Sequence, residues 1–231
     1  MAFLGTLPLY GEAFLRLLFP SLCAACDNLL ELKERGLCSP CKAGLDHCRF
    51  QAHEEKIRTS LPHTDEGWSL FRYEERVKDL FHQIKFKRRR DLLHLFNEPL
   101  HHFLAGHSEL ERLDGVIPVP LDAGRRLERE FNQSGLLADK ISKITGVTVR
   151  RNVLLKRRST PAQSLLGREG REINLKGAFR VSNPHRIRGR WVLLVDDIFT
   201  TGATVEEAAR TLREAGAARV SYLALARALG R

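Results

Sequence analysis

The sequence predicts an α/β fold: a mostly parallel sheet with helices between its strands, preceded by a small cysteine-rich module. Three observations carry this. From residue 67 to residue 231, short apolar runs alternate with helical stretches, the pattern that builds a parallel sheet. All five cysteines fall within residues 1–48. Residues 49–66 are mostly polar and lack an apolar period, so they read as a linker. A chain of 231 residues suffices for one ordinary domain plus a small module, and 43% apolar residues can fill a sizeable core.

The N-terminal stretch is apolar from Ala2 to Pro20, but it has no basic leader, Pro8 and Gly11 interrupt it, and Glu12 and Arg16 fall inside it. It reads as a short amphipathic helix over Leu9–Phe19 rather than a signal peptide. No run reaches the roughly 18–20 apolar residues of a membrane span, so a cytoplasmic protein is expected. In that compartment five cysteines are not expected to form structural disulfides. Within 67–231 the expected order is strand Trp68–Tyr73, helix Glu74–Phe86, helix Arg90–Phe103 and strand Gly115–Val119. There follow helix Gln133–Thr145, strand Val153–Leu155, strand Trp191–Val195, helix Ala203–Ala215 and strand Val220–Ala226. The Ala203–Ala215 helix is the clearest. Val205, Ala208, Ala209 and Leu212 keep the i, i+3, i+4, i+7 spacing, with Glu206, Glu207, Arg210 and Arg213 outside it, and Gly216 supplies the stop.

The strand Trp191–Val195 ends at two adjacent acids, Asp196 and Asp197, followed after Ile198 and Phe199 by Thr200, Thr201, Gly202, Ala203 and Thr204. At a strand-to-helix handover the first N–H groups of the helix lack intrahelical partners and point outward. With the helix dipole they form an anion pocket, and small side chains let a phosphate approach closely. Ligands of open α/β sheets sit at this end of the strands. The two carboxylates can accept from sugar hydroxyls and help hold a hard cation such as Mg²⁺. The plainer alternative is a threonine-capped helix without a ligand. Two adjacent acids at a hydrophobic sheet are costly without partners, which favours the phosphate site.

V-L-L-V-D-D-I-F-T-T-G-A-T, Val192 to Thr204, resembles the phosphoribosyl pyrophosphate (PRPP) signature of the type I phosphoribosyltransferases. The resemblance implies that fold for the C-terminal domain. It also implies that the amides of Thr200 to Thr204 hold the 5′-phosphate and that Asp196 and Asp197 hold the ribose hydroxyls, with Mg²⁺ bridging ribose and pyrophosphate. Neither a GxxxxGK[ST] nor a GxGxxG motif is present. Two further segments, D-G-V-I-P-V-P-L-D-A-G-R-R-L-E-R-E-F-N-Q-S (Asp114 to Ser134) and L-K-R-R-S-T-P-A-Q-S-L-L-G-R-E-G-R-E-I-N-L-K-G-A-F (Leu155 to Phe179), are similar to the ComF family, competence-associated proteins of natural DNA transformation. In the first, Arg125, Arg126 and Arg129 follow a strand end, where guanidinium groups suit a pyrophosphate; Arg125 is the candidate contact. That family usually has a glycine before F-N-Q, where Glu130 stands here, so pyrophosphate contact is not expected at that point. The second segment, with Gly167 and Gly170, reads as a loop that closes over PRPP.

Cys23, Cys26, Cys38 and Cys41 form C-x2-C-x11-C-x2-C. Two such pairs give a tetrahedral thiolate site for structural Zn²⁺, replacing a core that so short a segment cannot build. Cys48, near His47 and His53, is left as a spare thiol. The chain carries a net charge of +10, which favours anionic partners. Its densest positive run is I-K-F-K-R-R-R, with Lys85, Lys87, Arg88, Arg89 and Arg90 beside Phe86. Such cations track a single-stranded DNA or RNA backbone and Phe86 can stack on a base; the plainer alternative is a solvated face with Phe86 in the core. Lys85 is also a candidate for the pyrophosphate. Three functions are thereby expected and left open among themselves. One is a ComF-type protein that binds PRPP, Mg²⁺ and single-stranded DNA, with a competence helicase or other DNA-processing proteins as partners. Another is an active phosphoribosyltransferase of unknown acceptor. The last is a non-catalytic PRPP sensor.

Overall fold

Val192, Leu193, Leu194 and Val195 are all fully buried, which requires a strand covered on both faces. The computed structural model shows how. It describes residues 19–51, 54–57, 61–121, 131–157 and 175–229. The Leu9–Phe19 helix apart from Phe19, His53, the Arg125, Arg126, Arg129 and Glu130 turn, and the Gly167 and Gly170 loop lie outside these.

Four parallel strands, β1 (Gly67–Arg72), β2 (Gly115–Pro118), β5 (Trp191–Phe199) and β6 (Arg219–Arg227), pair in the order β1-β6-β5-β2. Registers include Gly115↔Val192, Trp191↔Arg219 and Gly67↔Tyr222. On one face Val192, Leu194, Val220 and Ala224 pack against Val205, Ala208 and Leu212 of α5 (Ala203–Glu214). A short antiparallel pair, β3 (Leu154–Lys156) with β4 (Phe179–Val181), joins that core. Helix α4 (Gln133–Thr145) packs on β2 and β5, and α3 (Asn97–Gly106) on β1 and α4.

Several elements differ from expectation for identifiable reasons. The strand expected to stop at Val195 runs through both acids to Phe199, with Asp196 opposite Ala224. The expected Arg90–Phe103 helix divides into a 3₁₀ segment, Arg90–Phe96, and α3. Pro99 explains the division: it lacks an N–H and its ring excludes the preceding turn, so it is tolerated only near a helix start. Strand β4 was not anticipated. Glu207, expected outside, is buried; it accepts from Gly177 N at 2.6 Å and from Arg210 Nη2 at 2.6 Å.

The described residues of 49–66 are bonded to the sheet. Phe50 N donates to Leu70 O at 3.0 Å, Ser69 N to Glu55 O at 2.8 Å and Ile57 N to Gly67 O at 2.7 Å, in antiparallel bridges alongside β1. Asp65 clasps Val220 through its N–H (2.9 Å) and Oδ2 (2.7 Å). Backbone pairing of this kind does not depend on an apolar period. The chain thus resolves into two compact units, one of residues up to Cys48 with Glu74–Leu95, the other of Arg49–Tyr73 with the residues from Phe96 onward. In the first, α1 (Ser39–His47) packs against α2 (Glu75–Phe86), and Val77, Leu80, Phe81 and Ile84 form the buried stripe of α2.

Candidate functional site

In the larger unit, β5 delivers Asp196 and Asp197, both half-buried, to the carboxyl end of the sheet. Asp196 Oδ1 accepts the Ser134 hydroxyl at 3.0 Å and the Asp197 amide at 2.8 Å. Ser134 is buried in the first turn of α4. That turn is capped by Asn132, whose Oδ1 accepts Ser134 N at 3.1 Å and whose amide donates to Val119 O at 3.0 Å. The end of β2, the start of α4 and the first acid are therefore one hydrogen-bonded assembly. Tyr73, just past β1, has its hydroxyl pKa raised by burial and then by the charge of Asp197, which places the phenol within the field of the second acid.

The loop after β5 turns at Gly202, the N-cap of α5, with φ of 84°. A Cβ there would lie 2.9 Å from Phe199 Cζ and 3.0 Å from Leu61 Cδ2, so glycine is needed for both conformation and space. Thr201 Oγ1 accepts Ala203 N at 3.4 Å, and Glu206 N donates to Gly202 O at 2.8 Å. Thr200 is exposed, whereas Thr201, Ala203 and Thr204 are half-buried. Glu206, in the first turn, is held by His63 Nδ1 at 2.5 Å. The structure thus brings Asp196, Asp197 and Thr200 to Thr204 together at one strand-to-helix junction; Arg125 lies outside the described residues. A cavity of about 380 Å³ opens at the end of β2, lined by Pro118, Phe131, Asn132, Arg151, Asn152 and Leu154 among others.

Sequence reasoning missed Ser134, Asn132, Tyr73 and His63. Only Asn132 carried a local signal, being an N-cap residue just before a helical period. The Ser134–Asp196 contact spans 62 positions and has no local signature.

In the smaller unit, the sulfurs of Cys23, Cys26, Cys38 and Cys41 lie within 4.8 Å of one another, and this cluster can hold a metal ion. Cys26 and Cys38 sulfurs are 3.6 Å apart. Tetrahedral zinc with bonds of ~2.3 Å sets its sulfurs ~3.8 Å apart, so the donor set fits. The first pair sits in a hairpin turn closed by Cys23 N to Asn28 O (2.8 Å), and the second opens α1. Burial raises the Cys23 thiol, but the amides of Cys38, Ala25 and Cys26 outweigh it and bring its pKa down to about 6. Burial, then neighbouring Cys26, Cys38 and Cys23, pushes Cys41 up to about 12, while Arg76 Nη1 lies 3.2 Å from its sulfur. A bound cation would bring all four to the thiolate form. Cys48 is buried, its thiol 3.4 Å from Gly44 O.

The basic run begins in the last turn of α2 and continues past its end. Phe86 is 65% exposed, not in the core. Lys85 Nζ lies 5.3 Å from the Phe81 ring centre. Arg89 is clamped to Asp91 (2.7 Å), and Lys87, Arg88 and Arg90 are exposed.

The phosphoribosyl transferase domain profile matches residues 133–230, which include α4, β5, the loop and α5. The chain is 32% identical to DNA utilization protein YhgH of Shigella flexneri, over 91% of this chain and 98% of that protein. It is 29% identical to Competence protein F of Haemophilus influenzae (89% and 96% covered) and 28% identical to Competence protein ComFC of Bacillus subtilis (89% and 84%).

Proposed function

Because the chain belongs to the ComF family of competence proteins and carries a phosphoribosyltransferase domain, we propose that it binds PRPP with Mg²⁺ at the β5–α5 junction and single-stranded DNA on its basic run, in the handling of DNA during natural transformation. The observation that carries this reading is the pairing of a Ser134-oriented Asp196 with a glycine-turned helix start on the same strand. The amides of Thr200 to Thr204 take the 5′-phosphate and Asp196 and Asp197 take the ribose hydroxyls. Mg²⁺ neutralises the pyrophosphate when bound. Zn²⁺ in the four-cysteine cluster is structural in this reading, and the protein acts in the cytoplasm beside DNA-processing partners such as a helicase.

The cavity at the end of β2 favours a second reading, transfer. It offers both apolar walls and the polar groups of Asn132, Arg151 and Asn152 to an acceptor. A nitrogen of the acceptor forms a bond to C1′ as the C1′–O bond breaks, and pyrophosphate leaves with the electron pair; the nitrogen then loses its proton. Asp196 and Asp197 position the ribose for that displacement. Calorimetric titration of PRPP with Mg²⁺ into the wild type and into Asp196→Asn/Asp197→Asn tests the site, with pyrophosphate assayed in the same samples. Binding lost at least ~10-fold in the double variant is expected, the equivalent of about one charge-assisted hydrogen bond. No binding to the wild type refutes the PRPP reading. Pyrophosphate released only with an acceptor supports transfer; its absence, with PRPP altering DNA affinity, supports a sensor.

A further inference from the structure

Phe86 is an exposed aromatic inside the most basic stretch of the chain. Helix geometry explains its direction. Val77, Leu80, Phe81 and Ile84 form the buried stripe of α2, and Phe86 falls two residues past it, on the outward side. His82, four residues earlier, shares that side. Its ring centre lies 4.8 Å from that of Phe86, with 39° between the planes. The last turn of α2 therefore presents two adjoining rings to solvent. Cations border them. Arg88 adopts a left-handed backbone (φ 57°) that ends the helix sharply, and Lys87 N and Arg89 N both donate to Gln83 O (3.0 and 3.3 Å). Lys87 and Arg88 are exposed, and Arg89 is paired with Asp91.

Rings flanked by cations are the pattern that single strands recognise: bases stack on the aromatic surface while phosphates meet the charges, and a duplex hides the base faces that such a surface needs. We infer that Phe86 and His82 form a base-stacking ledge for single-stranded DNA, with Lys87 and Arg88 as its phosphate contacts. The inference rests on the single-strand reading above and narrows it to one turn of α2.

The test uses the full-length protein, a fluorescent dT20 and an otherwise identical abasic strand. Phe86→Ala weakens dT20 binding by at least ~5-fold, the lower bound for losing one stacked base, and leaves abasic-strand binding unchanged. Phe86→Trp keeps the affinity, and its new indole emission is quenched by dT20. Lys87→Ala/Arg88→Ala lowers the salt slope by ~1.4, about 0.7 per lost phosphate contact, whereas Phe86→Ala does not change it. Phe86 is exposed, so matching circular dichroism of the variants is expected. If wild type binds dT20 and Phe86→Ala binds it equally well, the ledge is refuted while strand binding stands. If wild type binds no strand, the single-strand reading falls and the ledge with it. Tighter binding of rU20 than of dT20 overturns the assignment to DNA.

Discussion

Gly202 offers the sharpest perturbation of the candidate PRPP site, because two separate penalties meet there. Its φ of 84° lies in the left-handed region, which costs an L-residue ~1–2 kcal/mol. An alanine Cβ would also stand 2.9 Å from the Phe199 ring. That ring cannot withdraw freely: it is 4% exposed and stacked on Tyr222, with 5.4 Å between centres and 15° between planes. Overpacking a well-filled site costs ~1–3 kcal/mol. Gly202→Ala should therefore lose ~2–5 kcal/mol. Gly189 is the internal control, with φ of 68° and nothing within 4 Å of its would-be Cβ, so Gly189→Ala should lose only the conformational part, ~1–2 kcal/mol.

Urea titration followed by tryptophan emission separates the two. Both tryptophans, Trp68 and Trp191, belong to the larger unit, so the signal reports the unit that carries the loop. With a slope of ~2 kcal/mol/M, Gly202→Ala lowers the midpoint by ~1–2.5 M and Gly189→Ala by ~0.5–1 M. PRPP titration under native conditions should show loss of binding in Gly202→Ala alone. Equal midpoints for the two variants would refute the steric argument, and undiminished PRPP affinity in Gly202→Ala would refute the role given to the loop.

Two other predictions concern groups away from the loop. Acid should release metal bound at the four-cysteine cluster, since thiolates bind and thiols do not: release, followed with a chromogenic chelator, rises as the pH falls, and release that does not depend on pH contradicts the thiolate assignment. Tyr222→Phe should be neutral or stabilising by up to ~1 kcal/mol, because the buried hydroxyl has no hydrogen-bond partner among the described residues while the ring stack survives; a loss above ~1 kcal/mol in the same urea assay reveals a partner for that hydroxyl.

How much of this was legible depends on whether the determining interaction is local. Helix α4 matches its expected span, Gln133–Thr145, because an apolar period and Asn132 as cap lie within one segment. Helix α5 follows its Val205–Leu212 spacing for the same reason, and only Glu207 departs, because its partner Gly177 lies 30 positions away. The acids were read as a strand end because charge in a buried strand is costly. The ladder nevertheless continues beneath them to Phe199, with the Ser134 hydroxyl and the Asp197 amide meeting Asp196. The stretch 49–66 looked like a linker because backbone pairing to a sheet edge leaves no apolar signature. From sequence, Phe86 reads more often as a core residue than as a ring against a base; its exposure excludes the core.

The loop's shape is itself a long-range property of the sheet. Gly67 opens β1, and a Cβ there would fall 2.1 Å from the Tyr222 ring, so a missing side chain on the edge strand admits the tyrosine. Tyr222 then stacks on Phe199, and Phe199 presses against Gly202. Four residues from three separate stretches of the chain thus carry packing from β1 through β6 and β5 to the start of α5. The accommodated ring leaves a buried hydroxyl without a partner among the described residues, a cost that a phenylalanine would avoid. A glycine is thereby required at both ends of this chain of contacts for different reasons: at Gly67 for space alone, at Gly202 for space and a left-handed backbone. Substitution at Gly67 should consequently reach the Gly202 loop through the rings, although no residue of β1 contacts that loop directly in this chain of contacts.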